Sequence, residues 1–137
     1  MILILCLSII SSCKKDAGEG GTSTIQGKVR IKKYDNSFSI LLSDYYAPNE
    51  DVYIIYGDDH TAYDNDYKTS YDGEYEFKYL QKGTYKMFCY SIDTTGVAAT
   101  GSIDQNLPKI PVFQTVTISD NGKTFDAPEI VILKTGN

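Results

Sequence analysis

Carboxylates are the most concentrated reactive groups in this sequence. Ten of the 18 Asp and Glu residues lie between positions 44 and 76, where Lys68 is the only basic residue. Four aspartates fall close together in this stretch: Asp58, Asp59, Asp64 and Asp66. Ca²⁺ prefers oxygen ligands of this kind, but the spacing lacks the glycine and the distant bidentate glutamate of an EF-hand. A solvated acidic loop without a cofactor is the preferred interpretation, and a Ca²⁺ site is the alternative.

Catalytic chemistry has little support in the sequence. His60 is the only histidine, and one histidine cannot build a zinc site without other strong ligands. No nucleophile motif, paired cysteines or phosphate-binding glycine loop is present. We therefore interpret His60 as a surface-loop residue and predict a protein that is not an enzyme and has no catalytic residues.

The first thirteen residues form an apolar segment that ends in small residues. It is too short to span a bilayer, which takes about 20 residues, and it has the character of a secretory signal. The end of the segment, Ile10-Ser11-Ser12-Cys13, resembles a bacterial lipobox. The resemblance implies a signal peptide over residues 1–12 and a diacylglyceryl group on the thiol of Cys13. An ordinary secretory signal is the alternative.

Residues 14–23 are charged and rich in glycine, with nothing to bury. Residues 13–23 are therefore predicted to form a flexible tether, ahead of one domain over residues 24–137. Two or three acyl chains would anchor the protein stably, at about 0.8 kcal/mol per buried CH₂. Lys14 occupies the position where the common inner-membrane retention signal has Asp. We expect an outer-membrane lipoprotein that faces the periplasm or the cell surface.

The positions of the three cysteines agree with this expected location. Cys6 lies in the leader and Cys13 is taken by the lipid, which leaves Cys89 without a partner. No disulfide framework is expected. Cys89 shares a strand face with Tyr85 and Met87, so we predict a buried hydrophobic side chain rather than a reactive thiol.

The elements that would position any site are predicted to be strands. Asp72-Gly73 supplies the positive φ of a tight hairpin turn. After the turn, Tyr75 and Phe77 alternate with charged residues, the period of a half-buried strand. No long stretch after the leader has a helical apolar stripe, so the predicted fold class is all-β.

The pattern Asp-Gly-x-Tyr-x-Phe-x-x-Leu-x-x-Gly-x-Tyr, residues 72–85, resembles the carboxypeptidase-regulatory-like domains of the transthyretin-like (prealbumin-like) β-sandwich class. Ile25-x-Gly27-x-Val29 and Asp51-Val52-x-Ile54 fit the same resemblance. It implies a Greek-key sandwich of seven or eight strands. The enzymes related to this fold use several His, Arg or iron-binding Tyr residues, which a chain with one His and one Arg cannot supply.

The predicted strands cover residues 24–34, 51–57, 67–71, 74–79, 84–91, 112–119 and 124–133. Residues 37–43 are predicted as an extra strand or a covering segment. The resemblance places 67–71, 51–57, 84–91 and 112–119 in one sheet, and 74–79, 24–34 and 124–133 in the other. Basic residues of the first strand would then lie beside Glu74 and Glu76 of its neighbour. Such cross-strand pairs contribute roughly 0.2–1 kcal/mol each.

One sheet face is predicted to be unusually aromatic. The outer face of the first sheet would carry Tyr53, Ile55, Phe88, Tyr90 and Phe113. A solvated sheet face normally alternates to polar residues, and an exposed apolar patch usually marks an interaction site. The preferred interpretation is a second small core, covered by residues 37–43 through Phe38, Ile40 and Leu42. The alternative is a docking site for a glycan or a protein.

The predicted function follows from the expected location at the membrane and from the aromatic sheet face. We expect a membrane-anchored, non-enzymatic accessory, adhesion or ligand-binding module of the bacterial envelope, with the tyrosine-rich loops (Tyr45, Tyr46, Tyr63) as further contacts. The alternative is a structural subunit that docks a larger outer-membrane or surface complex and binds no small ligand. A net charge of −5 argues against nucleic acid as a partner.

Overall fold

The computed structural model describes residues 16–58, 62–94 and 109–136. These ranges form nine strands and contain no helix of the length and apolarity needed to cross a membrane. The strands are β1 (Glu19–Tyr34), β2 (Leu41–Tyr46), β3 (Asp51–Tyr56), β4 (Asn65–Lys68), β5 (Glu74–Leu80), β6 (Gly83–Ser91), β7 (Ile110–Ile118), β8 (Thr124–Asp126) and β9 (Ile130–Thr135). The predicted leader with Cys13, and also Asp59 and His60, lie outside the described residues.

The nine strands form two sheets. One sheet is antiparallel and has the order β4-β3-β6-β7. In the other, the long strand β1 is central: its first half lies between β5 and β8, and its second half lies between β2 and β9. The predicted all-β sandwich and the predicted grouping of strands are confirmed.

One difference raises the strand count above the predicted seven or eight. The expected last strand, residues 124–133, is divided into β8 and β9 around Pro128, which has no N–H to donate to a ladder. Strand β2 corresponds to the extra strand predicted at residues 37–43, shifted toward the C-terminus, and it pairs with the second half of β1.

The core lies between the two sheets and follows the alternation of side chains along each strand. On β5, Tyr75 and Phe77 are buried, whereas Glu74 and Lys78 are exposed, as the sequence predicts. The largest fully buried side chains include Tyr75, Tyr85, Ile25, Ile54, Leu80, Met87, Ile118, Ile130 and Ile132. One apolar layer thus joins the sheets and leaves their outer faces for other roles.

Strand β1 begins at Glu19, five residues before the predicted start at Thr24. Residues 19–23, predicted as tether, therefore belong to the sheet. Polar composition misled the prediction, because this stretch is held through its hydrogen bonds rather than through apolar side chains. Ser23 is fully buried and donates its hydroxyl to the carbonyl of Asp120 at 2.7 Å. The Gly18 N–H donates to the hydroxyl of Tyr85 at 2.9 Å.

Residues 37–43 do not cover the aromatic face, so the preferred interpretation of that face as a covered second core is wrong. The last three residues of this segment begin β2, which extends the β1 sheet instead and also includes residues 44–46, predicted as loop. The ring of Phe38 stacks on Tyr34, with centroids 4.1 Å apart. Ile40 and Leu42 remain 61% and 46% exposed. Backbone pairing with the free edge of β1 decides where this segment lies.

The predicted charge pairing between β1 and β5 is confirmed at one position. Lys28 lies opposite Glu74 in the ladder, and their charged groups are 3.3 Å apart. Arg30 lies farther along β1 and instead binds the carboxylate of Asp44 on β2. Glu76 pairs with Lys78 of its own strand at 3.1 Å.

Strand β5 departs from regular alternation at Tyr79. Phe77 and Leu80 are both buried although two residues separate them. The shift in alternation occurs at Tyr79, which has a φ of 60°, and the pairing with β1 is irregular beside it. This bulge directs Leu80 into the core and leaves the ring of Tyr79 71% exposed.

Candidate functional site

The outer face of the β4-β3-β6-β7 sheet carries a row of aromatic side chains. Tyr53 of β3 lies opposite Phe88 of β6, which in turn lies opposite Phe113 of β7. Tyr90 follows two positions after Phe88, so it points to the same face. The structure therefore brings together the four aromatic residues that the sequence predicts for this face. Strand register explains the row, because directly opposed residues share a face of the sheet.

The rings contact one another across the three strands. Tyr53 and Phe88 stack with centroids 5.2 Å apart and an interplanar angle of 26°. The ring centroid of Phe88 lies 5.1 Å from that of Phe113 and 5.5 Å from that of Tyr90, which it meets edge-on. Tyr53 and Tyr90 are 5.7 Å apart. These spacings lie within the range of favourable aromatic pairs, so the rings form one connected cluster.

Tyr63 is a member of this cluster that sequence reasoning placed only in a loop. Its ring centroid lies 4.7 Å from that of Tyr53. The segment after β3 folds back along that strand: the Asp64 N–H donates to the Ile54 carbonyl at 2.8 Å, and the Tyr56 N–H donates to the Asp64 carboxylate at 2.7 Å. An aspartate in a turn after a strand often bonds to nearby backbone N–H groups, so Asp64 is the sequence signal for this fold-back. The ring next to it is thereby held against the sheet.

Burial divides the face into a floor and a rim. Ile55 and Phe88 are 3% and 4% exposed and lie outside the main core cluster, so they form the floor. Tyr90, Phe113 and Tyr63 are 44%, 48% and 53% exposed and form the rim. The face thus combines a packed base, which fixes the geometry, with rings that an incoming molecule can reach.

Charged groups border the aromatic rings. The ammonium group of Lys68 lies 2.7 Å from a carboxylate oxygen of Asp51, and Asp66 lies opposite Tyr53 in the ladder. Burial, and after it the nearby carboxylate of Asp51, raises the pKa of the Tyr53 hydroxyl. That hydroxyl therefore stays protonated at neutral pH and can donate as well as accept a hydrogen bond.

The carboxylates predicted as metal ligands are engaged separately. Asp58 pairs with Lys86 at 3.1 Å, and Asp64 accepts the Tyr56 N–H described above. Within the described ranges, no group of three or more His, Cys, Asp or Glu side chains is placed to hold a metal ion. Asp59 and His60 lie outside those ranges, so the Ca²⁺ alternative stays a prediction.

Cys89 matches its predicted character. It is fully buried in the core, and burial raises the pKa of its thiol to about 12. Because the thiolate is the reactive form, a thiol with this pKa is inert at neutral pH. It is a packing residue.

Comparisons with known proteins give little further information. No family model matches the chain, and no curated protein matches it. Among solved structures, the chain is similar to a protein from Pseudomonas aeruginosa that is described as a candidate carbohydrate binding protein. The two are 13% identical, the alignment covers 86% of this chain and 92% of that chain, and the TM-score is 0.47. At this similarity the comparison is no evidence about family or ligand.

Proposed function

We propose that this protein is a non-catalytic binding module of the bacterial envelope and that its aromatic sheet face binds glycans. The proposal rests on one observation: five aromatic residues from β3, β6, β7 and the loop after β3 form a connected cluster, and three of its rings are exposed. A contiguous exposed apolar patch of this kind usually marks an interaction site.

Sugar rings have the chemistry that this face would recognise. Each has a flat C–H surface that can stack on an aromatic ring, and hydroxyl groups around its edge that form hydrogen bonds. The rim tyrosines offer both an apolar body and a polar hydroxyl. The carboxylates of Asp51 and Asp66 lie beside Tyr53 and can accept hydrogen bonds from sugar hydroxyls.

Affinity electrophoresis in gels that contain soluble polysaccharides tests this role, after a glycan array has selected the polysaccharide. Tyr90→Ala should raise the Kd derived from the retardation about tenfold, because the loss of one stacking contact costs on the order of 1.4 kcal/mol of binding free energy. Tyr71→Ala is the matched control, since Tyr71 is 88% exposed and takes no part in the ring contacts of the cluster. Equal binding by both variants, or no binding by the parent protein to any glycan, would refute the proposal.

A structural docking role is the second candidate, and β2 is the observation that favours it. This edge strand exposes Leu41, Leu42, Tyr45 and Tyr46 at 40–46% each. Natural sheets usually protect such edges with charged residues, but the only charged residue of β2, Asp44, is paired with Arg30. Co-purification of a partner from the envelope that Leu42→Lys abolishes, without any glycan binding by the parent protein, would establish this role instead.

Anchoring through Cys13 is part of the proposal. Lipid attachment would hold the domain at the outer membrane through residues 14–18, which precede β1. Mass spectrometry of the mature protein should find a diacylglyceryl group on Cys13, and Cys13→Ser should release the protein from the membrane fraction. An unmodified Cys13 in the mature protein would remove the proposed address and leave the binding role to be judged separately.

A further inference from the structure

A cleft lies at one side of the sandwich, between the edges of β4 and β5. In the described part of the chain, β4 pairs only with β3 and β5 pairs only with β1, so both strands end their sheets there. The cleft has a volume of about 360 Å³, within the usual size of a ligand site. Its aromatic lining residues are Tyr56, Tyr67, Phe77 and Tyr79.

Tyr79 is an unusual residue for its position. A φ of 60° is unfavourable for a bulky side chain, and glycine or asparagine would adopt it more easily. The ring is 71% exposed, so packing against the protein returns little of that cost. A strained aromatic residue that does little for stability is a sign of function when it lines a cleft.

The polar groups of the cleft are fixed in position. The Glu19 carboxylate accepts a hydrogen bond from the hydroxyl of Tyr56 at 3.1 Å and another from the side-chain amide of Asn65 at 3.3 Å. The Gln81 amide donates to the backbone carbonyl of Glu19 at 2.6 Å. Burial, and after it the bond to Glu19, raises the pKa of Tyr56 to about 12, so its hydroxyl keeps the proton that it donates to Glu19 and can accept a hydrogen bond from a ligand. Aromatic walls with oriented donors and acceptors suit a polyhydroxylated ligand.

Strand β4 alone separates this cleft from the aromatic face. Asp66 lies opposite Tyr53 on the outer face, and the same residue lines the cleft. Tyr67, the next residue, lies opposite the buried Val52 and points inward, where its ring meets Phe77 at 6.1 Å. A chain molecule that leaves the face past Tyr53 therefore needs to pass only the edge of β4 to reach the cleft.

We propose that the β4–β5 cleft is a second subsite for the same glycan, in which Tyr79 stacks on a sugar ring while the aromatic face holds another part of the chain. The inference rests on the proposed function and adds a length requirement to it. Oligosaccharides too short to span both surfaces would bind the face alone. Longer ones would gain affinity from the cleft.

Tyr79→Asn tests the subsite, because asparagine accepts the positive φ and removes the ring. Isothermal titration with a size series of one glycan should show affinity for long oligosaccharides reduced about tenfold and affinity for the shortest binding oligosaccharide unchanged. The same substitution should raise the midpoint of thermal unfolding. Tyr71→Ala, on an exposed turn, should change neither quantity.

The outcomes separate this inference from the proposed function. If Tyr90→Ala weakens binding and Tyr79→Asn does not, the face binds glycan and the cleft does not, which overturns the inference alone. Absence of glycan binding by the parent protein overturns both. If Tyr79→Asn lowers the unfolding midpoint, the ring has a structural role, and the argument from backbone strain is wrong.

Discussion

Gly27 lies directly beneath the ring of Tyr75, its cross-strand neighbour on β5. A Cβ at position 27 would lie 2.5 Å from Tyr75 Oη and 2.7 Å from its Cζ, far inside normal contact distance. Tyr75 is only 2% exposed, so neighbouring side chains enclose its ring on most sides, and its open side is a cleft that Gly27 also lines. The substitution Gly27→Ala therefore forces a displacement of either the ring or the β1 backbone.

We expect Gly27→Ala to lower the free energy of unfolding by about 1–3 kcal/mol, the usual cost of overpacking a core. Backbone entropy predicts the opposite sign, because alanine in a strand is normally about 0.5–1 kcal/mol better than glycine. A decrease in the free energy of unfolding would therefore show that the contact with Tyr75 outweighs the gain in backbone entropy. Urea unfolding followed by far-ultraviolet circular dichroism is a suitable assay, since the chain contains no Trp.

Tyr75→Phe is the matched background for this experiment. Its hydroxyl is buried and has no hydrogen-bond partner in the described part of the chain, so its removal should leave stability unchanged or higher. The cost of Gly27→Ala should be smaller in this background, because the nearest contacting atom is gone. An equal cost in both backgrounds, or a Gly27→Ala protein within about 0.5 kcal/mol of the parent, would show that the packing argument is wrong.

Three further predictions concern charge and titration. The pKa of buried Cys89 is about 12, against an ordinary value of 9.0. Its contribution to stability is therefore complete below pH 9 and decreases above it, approaching about 1.4 kcal/mol per pH unit. Unfolding measured between pH 9 and 10 should be less pH-dependent in Cys89→Ala, and an unchanged slope would contradict the burial argument. Lys28→Gln removes an exposed pair with Glu74 and should cost under about 1 kcal/mol, less at high salt; a larger loss in urea unfolding would contradict this. Thermal midpoints in Ca²⁺ and in EDTA should coincide, because Asp58 and Asp64 already have partners, and a higher midpoint in Ca²⁺ would establish the metal site.

Much of the fold could be predicted because its signals are local. The Asp72-Gly73 turn and the alternation of Tyr75 and Phe77 identify a hairpin strand without reference to the rest of the chain. The aromatic row across β3, β6 and β7 could also be predicted, because it follows from alternation once the strand grouping is given. The start of β1 could not be predicted, because polar residues 19–23 are held by backbone and hydroxyl hydrogen bonds that leave no apolar pattern.

Alternation with a period of two along the chain predicts most of the strand residues and which of their side chains face the core. Contacts that form only in the folded chain place β2 at the edge of β1, Tyr63 on Tyr53, and Tyr79 in a cleft beside β4. These positions depend on register and contact between segments far apart in sequence. No local pattern encodes these contacts, so the β4–β5 cleft and the place of Tyr63 on the aromatic face could not be predicted from the sequence.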